Sequence, residues 1–328
     1  MIDDQLWRCV ASWYPGATGV AGATKLSGGA SQETWSFDIV HPAGNAGAIL
    51  RRSPKGYGAA PLRAAGLEAE AKLMQLAHDA GLPSPKVLHV LEDSYDLGTG
   101  FIMQRVEGET IARKILRDAQ FAGARPQLAH QLGRIAAGIH RLPLAQLPKL
   151  REMTAGKEIA EIGREYRSFN WPRPVFELAL RWLADHDPGP PAAVSLVHGD
   201  FRHGNLVIGP DGVRAVLDWE LAHLGDAMED LGWICVTSWR FGEIDKPVGG
   251  FGSREELFAG YQQAGGKLEP ARVRFWEIMG TLRWGVMCCG MMQRFRTGPD
   301  HSMERAMIGR RASETEIDLL RLLAPRRK

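Results

Sequence analysis

The chain has 328 residues, 45% of them hydrophobic, which is typical of a globular protein and excludes a largely disordered chain. Forty basic and 38 acidic residues give a formal net charge of +2, so overall charge favours neither nucleic acid nor a membrane surface as a partner. The four cysteines have no CxxC spacing, and the first ten residues lack the basic and apolar regions of a signal peptide. We therefore predict a cytoplasmic protein.

The first hundred residues predict an antiparallel sheet with a lead-in helix and one further helix. Apolar residues recur at helical intervals over residues 3–13, and again over residues 67–80. Between and after these helices, short runs of alternating or β-branched residues are bounded by glycine, proline and aspartate. The predicted strands cover residues 23–26, 35–39, 48–52, 86–92 and 101–106.

From about residue 111 the pattern becomes mainly helical, and several prolines divide it into segments. Helices are predicted over residues 257–264, 273–293 and 304–323. We place the boundary near Glu107 and Gly108, which divides the chain into residues 1–106 and 107–328. The predicted fold class is α+β, with a small antiparallel-sheet lobe followed by a larger, mainly helical lobe.

Two features of the first lobe are candidates for phosphate contact. Glycines beside small hydroxyl residues at the tip of the first hairpin allow backbone N–H groups to approach phosphate oxygens, although a plain glycine turn is the alternative. In the third strand, Arg51 and Arg52 must point to opposite faces of the sheet, so only one of them can face a cleft. Glu70 lies on the following helix, where a solvated surface charge is the alternative interpretation.

The stretch over residues 196–231 is dense in acids and histidines. The turn at residues 209–212 predicts a hairpin that brings Asp200, Asn205 and Asp218 towards one open end. Carboxylate and amide oxygens at such a site can bind divalent cations that carry phosphate. A carboxylate kept off the metal can accept a proton from an attacking hydroxyl.

The spacing of His198, Asp200 and Asn205 matches the kinase catalytic loop H-x-D-x-x-x-x-N, and Asp218, Trp219 and Glu220 stand where kinases carry Asp-Phe-Gly. This combination resembles the aminoglycoside phosphotransferase family, also called the choline and aminoglycoside kinase-like group. The resemblance implies a two-lobed, protein-kinase-like fold. Residues 1–106 would form the nucleotide-binding lobe and residues 107–328 the catalytic and acceptor-binding lobe.

The resemblance also implies roles for individual residues. Asp200 would orient or deprotonate the acceptor hydroxyl, and His198 and Asp226 would have supporting roles. Magnesium would be bound by Asn205 and Asp218, with Glu220 as an additional ligand. ATP or GTP would be the phosphate donor, and the nucleotide-contacting candidates are Ser27, Gly28, Gly29, Ala30, Ser31, Arg51, Glu70, Gln104 and Val106. Arg51 departs from the family pattern, because kinases carry a lysine at this position; its planar fork can still bind phosphate.

The acceptor is the open question at this stage. Aminoglycosides are polycations and require carboxylates, whereas the helix predicted to line the acceptor side carries Arg283, Arg294 and Arg296. The chain is also similar to the kinase domain attached to some acyl-CoA dehydrogenase-like proteins, which suggests a hydroxyacyl-CoA or another anionic acceptor. The alternatives are an aminoglycoside kinase, a catalytically silent nucleotide-binding scaffold and, least favoured, a two-metal phosphoesterase.

Overall fold

A computed structural model describes residues 2–26, 32–54, 63–298 and 301–324. The glycine-rich segment predicted to contact nucleotide, Ser27, Gly28, Gly29, Ala30 and Ser31, lies outside these ranges.

A five-stranded antiparallel sheet forms the first lobe, with strand order β1-β2-β3-β5-β4. Helix α1 packs on one face of this sheet and α2 on the other. Successive side chains of a strand point to opposite faces, so each face carries its own apolar residues. Leu50 and Ile102 pack with α1, whereas Phe101 and Met103 pack with α2. The elements are α1 (Ile2–Trp13), β1 (Gly19–Lys25), β2 (Glu33–Val40), β3 (Ala46–Ser53), α2 (Leu67–Asp79), β4 (Val87–Val90) and β5 (Thr99–Gln104).

Helices dominate the second lobe, and the longest of them, α9, is buried over most of its length. The helices are α3 (Ala112–Arg117), α4 (Arg125–His140), α5 (Ala155–Ser168), α6 (Pro174–Asp185), α7 (Met228–Cys235), α8 (Arg254–Gln263), α9 (Pro270–Thr297), α10 (Met303–Gly309) and α11 (Ala312–Leu323). None of the helices in the described ranges combines the length and the apolar character needed to cross a membrane.

Two small antiparallel pairs lie between the helices and carry the residues of the 196–231 stretch. Strands β7 (Leu206–Gly209) and β8 (Gly212–Val216) form the predicted hairpin, and β6 (Ser195–Val197) pairs with β9 (His223–Gly225). We did not predict β9, because a three-residue strand is too short for an alternating pattern to be recognised. Residue 109 pairs with Ile208 through two backbone hydrogen bonds of 2.9 Å, which links the start of the second lobe to β7.

The sequence predicted one continuous helix over residues 304–323, and this prediction was wrong. Residues 304–323 form two helices, α10 and α11, separated by residues 310 and 311. Gly309 ends α10 against α9, where a Cβ atom would lie 2.8 Å from the Cβ atom of Met292. The chain turns at this close contact so that both helices pack on α9, a constraint that helical periodicity does not reveal.

Candidate active site

Arg51 and Arg52 point to opposite faces of the sheet, and Arg51 is the one that faces the second lobe. Its Nε atom lies 3.1 Å from Glu70 Oε1, and its Nη2 atom lies 2.6 Å from Asp218 Oδ1 and 3.4 Å from Glu220 Oε2. Arg52 instead binds Glu33 at 2.8 Å and the Leu97 carbonyl on the α1 side. Strand alternation therefore places one arginine among the acids of the cleft and the other in the first lobe.

The loop over residues 198–200 is fixed by Asp230 of α7. The two carboxylate oxygens of Asp230 accept hydrogen bonds from the backbone N–H groups of His198 and Gly199, at 2.8 and 2.9 Å. His198 Nδ1 accepts a hydrogen bond from the Asp200 N–H at 3.2 Å, so the ring proton is on Nε2, which donates to the Leu217 carbonyl at 3.0 Å. Burial lowers the pKa of His198, which agrees with a neutral ring in a supporting position.

Both side-chain oxygens of Asp200 are occupied by donors. Oδ1 accepts from Arg202 Nε and from the Trp233 indole N–H, each at 2.8 Å, and Oδ2 accepts from Asn205 Nδ2 at 2.7 Å. Burial acts to raise the pKa of this carboxyl group, but Arg202, the Trp233 hydrogen bond and further positive charges outweigh it and lower the pKa. Asp200 is therefore an ionised carboxylate in a fixed orientation.

Asn205 and Asp218 are brought together by the β7–β8 hairpin. The Leu217 N–H donates to the Asn205 carbonyl at 2.8 Å, and Asp218 follows in the left-handed conformation with φ +63°. This conformation is uncommon outside glycine, and aspartate and asparagine tolerate it better than most residues. The Asn205 side chain uses its N–H2 group on Asp200, so its Oδ1 oxygen accepts no hydrogen bond from the described residues.

Carboxylates outnumber cations in this part of the cleft. Burial raises the pKa of Glu70 to about 8; Arg51 opposes this effect, and Asp218 and Glu220 add to it. The pKa of Glu220 is raised to about 7, first by burial and then by Asp218. The excess negative charge suits a divalent cation, and Asp218, Glu220 and the free amide oxygen of Asn205 are hard oxygen ligands of the kind that Mg²⁺ prefers.

The protein atoms alone do not complete a metal site. Within the described ranges, no group of three or more His, Cys, Asp and Glu residues could hold a metal ion. Magnesium usually takes one or two carboxylates and completes its coordination with water and substrate phosphates. Asn205, Asp218 and Glu220 therefore fit a cation that arrives with a nucleotide better than a permanently bound structural ion.

The remaining nucleotide candidates lie in the connection between the lobes. Gln104 is the last residue of β5, and its N–H donates to the Lys86 carbonyl at 2.9 Å. Val106 is half-buried in the segment that follows. This position beside the cleft is the one expected of a hinge, and the nucleotide-binding role of both residues stays a prediction.

Supporting residues come from helices that a motif search does not join to the loop. Asp226 accepts hydrogen bonds from Arg272 and from the Trp276 indole, both at 2.8 Å, which ties the 196–231 stretch to α9. We missed Arg202, Asp230 and Trp233 as partners of the loop. The acid at position 230 lies within the 196–231 stretch, whereas a tryptophan 33 residues from Asp200 gives no spacing signal.

The arginines that pointed to an anionic acceptor lie in three different environments. Arg283 is buried, pairs with Glu229 at 2.8 Å and donates to the Gly199 carbonyl at 2.9 Å. Its guanidinium group also stacks on Trp233 at 3.9 Å. Arg296 lies over the Trp171 ring, and Arg294 is exposed near the end of α9. Arg283 thus braces the loop and already has a carboxylate partner, so it does not by itself argue for an anionic acceptor.

Comparison with known proteins identifies a family and a related protein. The model of the family described as "Phosphotransferase enzyme family", APH, matches residues 22–276. Acyl-CoA dehydrogenase family member 10 of Mus musculus is 31% identical over 205 residues, which cover 58% of this chain and 18% of that protein, so the chain corresponds to less than a fifth of this relative.

Solved structures match over nearly the whole chain. A putative aminoglycoside phosphotransferase from Ralstonia eutropha has a TM-score of 0.73 at 22% identity, with 97% of both chains covered. A thermostable mutant of aminoglycoside phosphotransferase APH(4)-Ia, in a ternary complex with AMP-PNP and hygromycin B, has a TM-score of 0.66 at 19% identity, with 98% of this chain and 99% of that chain covered. At these identities the likeness is one of fold, and it confirms the predicted kinase-like fold class.

Proposed function

The chain belongs to the phosphotransferase enzyme family, and from that premise we propose that its cleft transfers the γ-phosphoryl group of ATP to a hydroxyl of a small molecule. GTP is the alternative donor. The observation that carries this proposal is the convergence of Asp200, Asn205 and Asp218 at one end of a hairpin, facing Arg51 of the first lobe. Phosphoryl transfer depends mainly on positioning and charge stabilisation, which such an arrangement supplies.

In the proposed reaction Asp200 receives the proton of the acceptor hydroxyl. The acceptor oxygen forms a bond to the γ-phosphorus while the bond from that phosphorus to the β-phosphate oxygen breaks, and ADP leaves. Three hydrogen-bond donors orient the Asp200 carboxylate, so no energy is needed to order it during the reaction. Arg51 presents a planar cation on the side where the phosphates would lie.

We propose Asn205, Asp218 and Glu220 as the residues that bind Mg²⁺ together with the nucleotide. A magnesium ion bound there would neutralise charge on the phosphate oxygens. The raised pKa values of Glu70 and Glu220 support this assignment, because crowded carboxylates are stabilised in their ionised form by a nearby cation.

For the acceptor we propose an anionic alcohol, such as a hydroxyacyl-CoA. The support is the relative whose name refers to an acyl-CoA dehydrogenase family, which covers 58% of this chain. An aminoglycoside is the second candidate, supported by the structural neighbour that was solved with hygromycin B. A screen with radiolabelled ATP against hydroxyacyl-CoAs, sugars, amino alcohols and aminoglycosides separates them, and exclusive use of aminoglycosides would contradict the first choice.

The catalytic assignment is tested by Asp200→Asn. This change removes the proton acceptor while preserving side-chain shape, and we expect turnover to fall by about 100-fold or more, with nucleotide affinity largely unchanged. The matched control is Asp211→Asn, which makes the same charge change at the exposed turn of the same hairpin, where Asp211 pairs with Arg214. Unchanged turnover in Asp200→Asn contradicts the assignment. Nucleotide binding by the wild type without transfer to any acceptor favours a silent scaffold.

A further inference from the structure

A second charged group lies beside the catalytic loop, between α5, β9 and α9. We call it the Arg151 pocket and define it by Arg63, Arg151, Glu158, His223, Glu229 and Arg283. Arg151 lies in the chain segment that runs beside β9, and its carbonyl accepts a hydrogen bond from the Leu224 N–H at 2.9 Å. None of these residues belongs to the kinase motif.

The two buried carboxylates of the pocket already have cationic partners. Glu158 Oε1 lies 3.2 Å from Arg63 Nη1 and 3.9 Å from Arg283 Nη1. Glu229 lies between His223 at 3.1 Å and Arg283 at 2.8 Å. Two further acids, Glu161 and Glu165, contact Arg63 from the more exposed outer side of α5, at 3.2 and 3.9 Å.

Of the cations in this pocket, Arg151 alone has no ion-pair partner among the described residues. Its Nε and Nη1 atoms are buried and have no hydrogen-bond partner within the described part of the chain. Burial lowers the pKa of Arg151; Arg63 and Arg283 lower it further, against the opposite effect of Glu158 and Glu229. Buried N–H donors without acceptors are costly, and arginine does not escape that cost by losing its proton. An oxyanion would supply the missing acceptors.

The pocket borders the proposed phosphoryl-transfer site at two points. Arg283 donates to the carbonyl of Gly199, the residue before Asp200. On the other side, two residues after Arg63, the Ala65 N–H donates to the Glu220 carbonyl at 2.7 Å. Arg63 and Arg151 are both partly exposed.

We propose that the Arg151 pocket binds a carboxylate or phosphate group of the acceptor molecule, with Arg151 as the ligand. A planar guanidinium group binds either oxyanion through two parallel hydrogen bonds. Placing the anion here would orient the acceptor hydroxyl towards Asp200. This inference rests on the proposed function and adds to it the residues that select an acidic acceptor.

The experiment measures the binding of two probes, inorganic phosphate and acetate, to the full chain saturated with Mg²⁺ and AMP-PNP, so that the nucleotide site is occupied. Binding is followed by isothermal titration calorimetry. The test variant is Arg151→Met, which keeps the apolar stem and removes the guanidinium group. The control is Arg181→Met, because Arg181 is 83% exposed on α6 and forms an ion pair with Asp185 of the same helix.

We expect at least one probe to bind the wild type and the Arg181→Met variant equally, and to bind Arg151→Met at least tenfold more weakly. The probe that binds identifies phosphate or carboxylate as the preferred anion. Equal affinity in wild type and Arg151→Met, or no binding of either probe to the wild type, overturns the proposal. If the Met variant does not fold, Arg151→Lys gives the same comparison, because it keeps the charge and loses the planar guanidinium group. We expect this variant to bind the anion with intermediate affinity.

Phosphoryl transfer is measured separately on the same preparations. If the wild type transfers phosphate and Arg151→Met binds the anion as well as the wild type does, the proposed anion site is wrong and the proposed function stands. Loss of anion binding in Arg151→Met, with no transfer by the wild type to any acceptor, overturns only the proposed function.

Discussion

The orientation of Asp200 depends on single side chains from separate parts of the chain. Arg202 is two residues away, Asn205 begins the β7–β8 hairpin, and Trp233 comes from α7. Only Asn205 is a defined position of the motif, and Arg202 stands at one of its variable positions. The tryptophan is brought to the loop by helix packing, and its indole N–H is a fixed neutral donor that stabilises the ionised carboxylate.

Replacing Trp233 by Phe should lower kcat/KM by about tenfold, because a hydrogen bond to a charged group contributes roughly 1.5–3 kcal/mol. Loss of this donor raises the pKa of Asp200, so the acidic limb of the pH–rate profile should move to higher pH. Trp284→Phe is the matched control, since the Trp284 indole N–H is buried without a hydrogen-bond partner in the described ranges. A pH profile that is identical in all three proteins contradicts this role.

At the scale of elements, the crossing of α4 and α8 supports the catalytic loop from behind. His140 at the end of α4 bonds to Tyr261 of α8 and to Asp230 of α7, both at 3.0 Å, and Asp230 binds the loop backbone. The two helices approach so closely that a Cβ atom at Gly133 would overlap the Leu257 carbonyl, and the reverse contact occurs at Gly260. Glycine is required here for space.

Gly133→Ala should therefore destabilise the protein by about 1–3 kcal/mol, the usual cost of overpacking a close contact, despite the higher helix propensity of alanine. Gly156→Ala is the control: it lies in the first turn of α5, where the added Cβ would meet only the end of the Asp187 side chain. We expect that control to be neutral or slightly stabilising. Urea denaturation of both variants measures the difference, and equal stability would show that the helices can move apart without cost.

For the whole molecule, the ion pairs beneath the loop predict how stability varies with pH. Burial acts to raise the pKa of Glu229, but His223 and Arg283 outweigh it and lower the pKa to about 2. Burial acts to lower the pKa of His223, and Glu229 outweighs it and raises the pKa. A lowered carboxyl pKa stabilises the fold above the ordinary value of about 4.5, and this contribution is lost as the pH falls towards 2.

Glu229→Gln should therefore be destabilised by roughly 3–5 kcal/mol near pH 6, because it removes the ion-pair partner of His223 and leaves Arg283 with only the more distant Glu158, at 3.9 Å. The difference from wild type should shrink steadily between pH 4.5 and the acid limit of folding. Thermal unfolding across this range measures the effect. Glu177→Gln, which breaks an exposed pair with Arg167, is the control and should change stability by less than about 1 kcal/mol at any pH. A difference in stability between Glu229→Gln and the wild type that stays the same at every pH contradicts this prediction.

Much of the fold followed from the sequence because its signals are local. Helical spacing predicted α1, α2 and α9 to within a few residues, and alternation predicted β3 and β5. The errors fell where tertiary contacts decide: β9 exists only through its pairing with β6, and the break between α10 and α11 follows from the contact of Gly309 with α9. Short strands and helix breaks of this kind carry too little local pattern to be recognised.

The sequence by itself indicated the family and the two-lobed fold, and it predicted the group Asp200, Asn205 and Asp218, because these residue types stand at fixed spacing along one hairpin. It left open which of Arg51 and Arg52 faces the cleft, and it directed attention to Arg283 for the acceptor. Only the tertiary structure decided that Arg51 lies among Glu70, Asp218 and Glu220, that Arg283 is already paired, and that two buried N–H groups of Arg151 have no hydrogen-bond partner among the described residues. The physical reason is that burial and charge balance depend on residues far apart in the chain.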